Sequence, residues 1–123
     1  EPLIEDFDFA RKVSQLEIDL AALEITELRT LAGEQAGKGP GPESSILKIK
    51  GTVIRQALND LARRALGPAA APFPSEAMFG NAALVEAGDV NNAADYFNNR
   101  KLSIFGGSNE IQRNILTKAM LEL

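Results

Sequence analysis

Cysteine, histidine and tryptophan are all missing from this chain of 123 residues. Without cysteine there is no disulfide, no thiolate nucleophile and no sulfur ligand for a metal. Without histidine the usual imidazole ligand and the commonest general base are gone, and no metal site is expected. Aromatic residues make up only 6% of the chain, too few for a base-stacking platform. Positive charge is also in deficit. Against 17 Asp and Glu there are 13 Lys and Arg, a net charge of −4, which is the wrong sign for holding a phosphate backbone. No nucleic-acid partner is therefore expected. No apolar run approaches the roughly 18 residues needed to cross a bilayer, so no membrane span is expected. No stretch is patterned as a signal peptide, and the expected location is the cytoplasm.

What is present is the composition of an ordinary globular protein, 45% hydrophobic and 24% charged. The length allows one domain or less. The first residue is Glu rather than Met, and the polar lead from Glu1 to Asp8 reads as the middle of something longer. The chain is accordingly expected to be a fragment.

From Phe9 to Ala32 there is neither Gly nor Pro, and Asp6 or Asp8 can cap a helix there. Phe9, Val13, Leu16, Leu20 and Leu23 recur at helical spacing. Ile18, Ala21, Ile25 and Leu28 form a second stripe roughly 120° away, because each residue advances about 100°. Two stripes predict a helix buried between neighbours, with Glu17, Glu24 and Glu27 on its solvated face and Gly33 as its C-cap. The run from Glu34 to Pro42 breaks helix. A second helix is predicted from Ser44 or Ser45 to Leu66, ended by Gly67-Pro68. Leu47, Val53, Ile54, Ala57, Leu58, Leu61 and Ala65 form its apolar face. Gly51 within it costs about 1 kcal/mol against Ala, which points to a close helix approach. Its Lys48, Lys50, Arg55, Arg63 and Arg64 offset the acidic first helix. Ala69 to Asn92 has no clear period and allows at most one short helix. Ala93 to Lys101 reads as a short helix with Tyr96 and Phe97 turned inward. A last helix starts at Ser108 or Asn109, with Ile111, Ile115 and Ala119 on one face. No strand signal and no internal repeat is found, so the fold class is all-α, an up-and-down helical bundle. Three such helices bury their stripes poorly alone. Either a further helix or a second subunit must cover them, and a homo-oligomer (dimer or tetramer) is expected.

The stretch from Ser103 to Ile115 organises the rest. Gly106 and Gly107 permit backbone angles closed to other residues and allow close approach to the main chain. Ser108 and Asn109 are both N-cap types, and Asn109 with Gln112 can form a capping box. A helix start leaves N–H groups free at the positive end of the dipole. That is a seat for an electron-rich ligand, or else a capped turn with nothing on it.

The segment Tyr96 to Lys118, YFNNRKLSIFGGSNEIQRNILTK, closely resembles the C-terminal signature of flavin-dependent acyl-CoA dehydrogenases. Upstream, the run GPGPESSILK, a helix ending Ala-Leu-Gly-Pro and an irregular loop follow the same order. The prelude YFNNRK resembles a bacterial subgroup that includes pimeloyl-CoA dehydrogenase large subunits. The resemblance implies that residues 1–123 are the C-terminal four-helix domain without its first helix. The parent enzyme would be about three times as long, with an N-terminal helical domain and a flavin-cradling β-domain. Such enzymes are usually homotetramers with these domains at the core. They take part in fatty acid metabolism, use FAD, act on acyl-CoA thioesters and pass electrons to electron-transfer flavoprotein. A carboxylate removes the α-proton while the β-hydride passes to the flavin.

Carried over residue by residue, the resemblance assigns flavin contacts to Ser108, Asn109 and Glu110, and the substrate thioester to Gly107. Where many members carry the catalytic Glu, this chain has Gly106, which accepts no proton. Members with Gly at that place carry the base on the domain's first helix, which would precede Glu1, so no catalytic residue is assigned here. Glu110 supports the start of its helix rather than acting as the base. A second flavin segment, reaching the neighbouring subunit's cofactor, aligns with Arg64 to Pro68. Arg64 and Gly67 fall on its contact positions. Gly67 matches, but Arg64 stands in place of Gln and Pro68 in place of Gly, and Arg64 either pairs with a phosphate charge or is a surface arginine. Two function readings follow. One is the C-terminal portion of an acyl-CoA dehydrogenase, which alone is inactive and holds no FAD. The other is a non-catalytic helical scaffold or partner subunit of the same fold.

Overall fold

The computed structural model describes residues 2–37, 39, 41–71 and 91–122. Four α-helices account for most of them: α1 (Phe7–Gln35), α2 (Glu43–Leu66), α3 (Asn92–Asn98) and α4 (Asn109–Leu121). Short 3-10 turns occupy Leu3–Glu5, Gly67–Ala70 and Asn99–Ser103. No strand occurs among the described residues, and none of their helices is long and apolar enough to cross a membrane. The fold is an all-α helical bundle. Most of the aperiodic stretch from Ala69 to Asn92 lies outside the described residues.

Helix α1 begins where a carboxylate can cap it. The Phe9 N–H donates to Asp6 Oδ1 at 2.7 Å, so Asp6 is the cap and Asp8 is not. Asp8 instead pairs with Arg11 and Lys12 on the next turn. At the other end, the expected stop at Gly33 is overrun. A glycine inside a helix costs only about 1 kcal/mol, less than the bonds of a further turn. The helix continues until Gly37 supplies a positive φ of 81°, and the Gly37 N–H donates to Glu34 O at 2.9 Å.

Helix α2 starts at Glu43, one residue before Ser44 and two before Ser45, and no side chain caps it. The Ser44 hydroxyl donates back to Gly41 O at 2.9 Å, and Ser45 is buried. Gly67, with φ 56°, ends the helix as expected.

Every other α-helix packs on α2. Helix α1 lies antiparallel to it, with Phe9 near Leu61 and Ala65 at one end and Leu23 over Gly51 toward the other. The first stripe of α1 and the apolar face of α2 enclose a groove of about 620 Å³. Ile54 and Leu61 are the best covered large side chains there, each 8% exposed. A Cβ placed on Gly51 would sit 3.9 Å from Leu23 Cδ2, an ordinary contact. Close approach therefore does not require glycine at that position.

The second stripe of α1 is not buried within this chain. Ile18 is 63% exposed, Ile25 and Leu28 are exposed, and α1 has no buried residue at all. Glu17, Glu24 and Glu27 are exposed as expected. The charges of the two long helices do not meet across their interface as ion pairs among the described residues. Asp60 takes both Arg63, at 2.9 Å, and Arg64, at 2.7 Å, on its own helix. Those two guanidinium hydrogen bonds hold its carboxyl below the ordinary 3.8, Arg63 contributing most.

Candidate functional site

The second face of α2 is polar and faces the late motif. Ser45, Lys48, Thr52, Gln56, Asn59 and Arg63 fall within an arc of about 80° at 100° per residue. The apolar residues facing α1 lie on the opposite side. Buried polar atoms demand partners, and Lys48, Thr52, Gln56 and Asn59 find them in the 91–109 segment. Arg63 instead bonds Asp60 on its own helix, and its Nε has no hydrogen-bond partner among the described residues. Lys48 Nζ donates to Asn109 Oδ1 at 2.8 Å. The Thr52 hydroxyl lies 2.7 Å from Lys48 O and 3.4 Å from Leu102 O. Gln56 Nε2 donates to Asn99 O at 3.1 Å and Arg100 O at 3.2 Å, and Gln56 Oε1 accepts from Arg100 at 3.2 Å. Asn99 Nδ2 donates to Asn59 Oδ1 at 2.9 Å.

Tyr96 lies between two cations, with Arg63 at 5.1 Å and Arg100 at 5.5 Å from the ring centre. It is half-buried, as expected, and it orders this region through cation–π contact. Phe97 departs from expectation. It is 63% exposed, and its inward neighbour on α3 is the smaller Ala93. A seven-residue helix has one narrow face toward α2, and Ala93 and Tyr96, three apart, occupy it.

The turn that follows leads directly into α4. The Ile104 and Phe105 N–H groups both donate to Lys101 O at 2.9 Å, and the chain then reverses through Gly106 (φ 68°) and Gly107 (φ 82°). Ser108 has extended angles and caps α4, its hydroxyl accepting from the Ile111 N–H at 3.4 Å. The capping box expected of Asn109 and Gln112 does not form. With Ser108 as the cap, Asn109 is already helical and its side chain turns to Lys48. Gln112 reaches back past the cap, Nε2 donating to Gly106 O at 2.9 Å.

Ser108, Asn109 and Glu110, the expected flavin contacts, thus stand together at the start of α4, with Gly107 beside them. Their roles differ. Asn109 is 7% exposed and committed to Lys48, whereas the Glu110 side chain projects into solvent. Glu110 is held below its ordinary value first by its own backbone N–H, then by the Ser108 hydroxyl, with Arg113 and Lys48 adding positive charge. A carboxyl so stabilised as the anion, on an exposed helix start, fits a capping role. A Cβ at Gly106 would meet nothing within 4 Å, so the turn's surface is open. The first N–H groups of α4 precede its i→i−4 ladder, so the start of this helix is an electropositive edge beside that open backbone.

Arg64 and Gly67 lie elsewhere. Sixteen residues along α2 separate Arg64 from Lys48, about 24 Å at 1.5 Å per residue. The two groups of expected flavin contacts therefore do not meet within one chain. One edge of the Arg64 guanidinium is engaged, Nε donating to Asp60. The polar face of α2 was not singled out from the sequence as a functional element. Its signal was there, in polar residues at i, i+4, i+8 and i+11 alongside an apolar stripe. No group of three or more residues able to hold a metal ion occurs among the described residues.

The family model that matches this chain, over residues 1–121, is described as acyl-CoA dehydrogenase, C-terminal domain. No curated protein and no solved structure matches it.

Proposed function

The chain belongs to the acyl-CoA dehydrogenase C-terminal domain family, and from that premise we propose that it serves a flavin-dependent acyl-CoA dehydrogenase. It would contribute part of the flavin and substrate lining and part of the oligomer core. The observation that carries the reading is the turn before α4, where two positive-φ glycines lead into a Ser108-capped helix with an open face.

In this reading the chain's own residues bind and orient. The N–H groups at the start of α4 and the Ser108 hydroxyl hold the electron-rich edge of FAD. The backbone at Gly107 runs beside the acyl-CoA thioester. Bound FAD supplies the acceptor for the β-hydride. Gly106 has no group to take the α-proton, so the base comes from outside these residues. Arg64 and Gly67, remote from the turn, fit a contact with a neighbouring subunit's cofactor. A homo-oligomer, electron-transfer flavoprotein as the acceptor, and a cytoplasmic location go with this reading.

The test uses the parent polypeptide. Purified, it should be yellow with stoichiometric FAD and should dehydrogenate an acyl-CoA at the α,β bond. A colourless parent that neither takes up added FAD nor bleaches it with acyl-CoA would overturn the reading and leave a helical scaffold of the same fold.

A further inference from the structure

We propose that Lys48 is a positioning residue for the start of α4. Its ammonium, donating to Asn109 Oδ1, sets where the Gly106–Gly107–Ser108 turn presents its backbone N–H groups. The inference rests on the function proposed above for its ligand readout and stands on geometry otherwise.

Two anchors bracket the glycine pair. Before it, Gln56 grips the Asn99–Ser103 turn through the carbonyls of Asn99 and Arg100. After it, Lys48 grips Asn109, a residue 61 positions away in sequence. Between the anchors the chain runs through Gly106 and Gly107, whose missing side chains leave the backbone few restraints of its own. Only Gln112 spans them locally, through Gly106 O. Among the described residues, the Lys48–Asn109 bond is the one side-chain hydrogen bond that joins α2 to α4. Without it, α4 keeps its packing on α2 but loses the polar tie that fixes its first turn beside Gly106 and Gly107, while the preceding turn stays clamped.

The choice of residue supports the same role. A cation near a helix N-terminus works against the dipole, a cost that the nearby Glu110 carboxylate offsets. What it offers is a directional, charge-assisted bond, made to the only buried residue of α4. Its foot is also held, because the carbonyl of Lys48 accepts the hydroxyl of buried Thr52 at 2.7 Å.

The experiment compares the parent polypeptide with its Lys48→Met and Lys48→Arg variants by amide hydrogen exchange and by FAD titration of the apoprotein. Lys48→Met should speed exchange of the amides at 105–112 about tenfold, in line with loss of one charge-assisted hydrogen bond. Exchange in α1 and the melting temperature should not change. FAD affinity should fall by a similar factor, and Lys48→Arg should recover both. Unchanged exchange at 105–112, or acceleration spread evenly over all helices, would overturn the proposal. A wild-type parent that binds no FAD would sink the proposed function, while the exchange data would still decide the positioning role. Should Lys48→Met not fold, Lys48→Gln replaces it, with the same local or uniform outcomes deciding.

Discussion

At position 106 the backbone angle matters as much as the missing carboxylate. Gly106 sits at φ 68°, a region that costs an ordinary L-residue about 1–2 kcal/mol. Its surroundings are open, so that cost is conformational and not steric. Gly106→Glu should therefore destabilise the domain by about 1–2 kcal/mol in chemical denaturation without raising dehydrogenation by the parent. A gain in activity would show that the turn can be rebuilt around a base. Gly107 is more confined, since a Cβ there would lie 3.0 Å from Gln112 Nε2. The glycine pair and the choice of Ser or Asn as cap were legible in the sequence. Which of the two caps was not. That depends on the extended angles of Ser108, which put its hydroxyl on the Ile111 N–H and leave Asn109 inside the helix, bonded to Lys48.

The element that organises the molecule is α2, which turns two chemically opposite faces toward the rest of the chain, although Val53 and Leu58 on its apolar side stay exposed. Its apolar face was readable from spacing, and Ile54 and Leu61 are indeed its best covered large side chains. Its polar face carries no local signal of burial, because lysine, glutamine and asparagine usually lie at the surface. Only the packing of 91–109 turned those residues into internal partners. Gln56→Ala tests the point. It removes the donor to Asn99 and Arg100 and the acceptor for Arg100, and should cost about 1–3 kcal/mol in denaturant unfolding. Amides at 99–103 should exchange faster. Arg55→Ala, at an exposed site one residue away, should stay within about 0.5 kcal/mol. Equal effects at the two positions would mean that the polar face carries no clamp.

At the scale of the whole molecule, more apolar surface is formed than one chain covers. Ile18, Ile25, Leu28 and Leu31 on α1 are exposed, as are Ile111, Ile115 and Met120 on α4. Exposed apolar side chains in such number fit contact with further protein surface. The isolated chain, of 13.2 kDa, should sediment as a larger species at micromolar concentration and remain colourless after addition and removal of FAD. Ile18→Glu with Ile25→Glu should return it toward the monomer. A monomeric wild-type chain would argue against α1 as an association surface.

The sequence by itself determined the all-α class, the two long helices, a break within Glu34–Pro42 and one at Gly67–Pro68, and the glycine turn before α4, although the first helix runs past its expected cap at Gly33 to Gln35. Each of these follows from propensity and period, which act between residues close along the chain. Tertiary structure alone decided which stripe of α1 is covered, that Phe97 faces out, and that Arg63 and Arg64 serve Asp60 and not the first helix. It also decided that Lys48 and Asn109 meet across 61 positions. Those outcomes depend on which surfaces come within hydrogen-bonding distance once the helices dock, and local spacing carries no record of that.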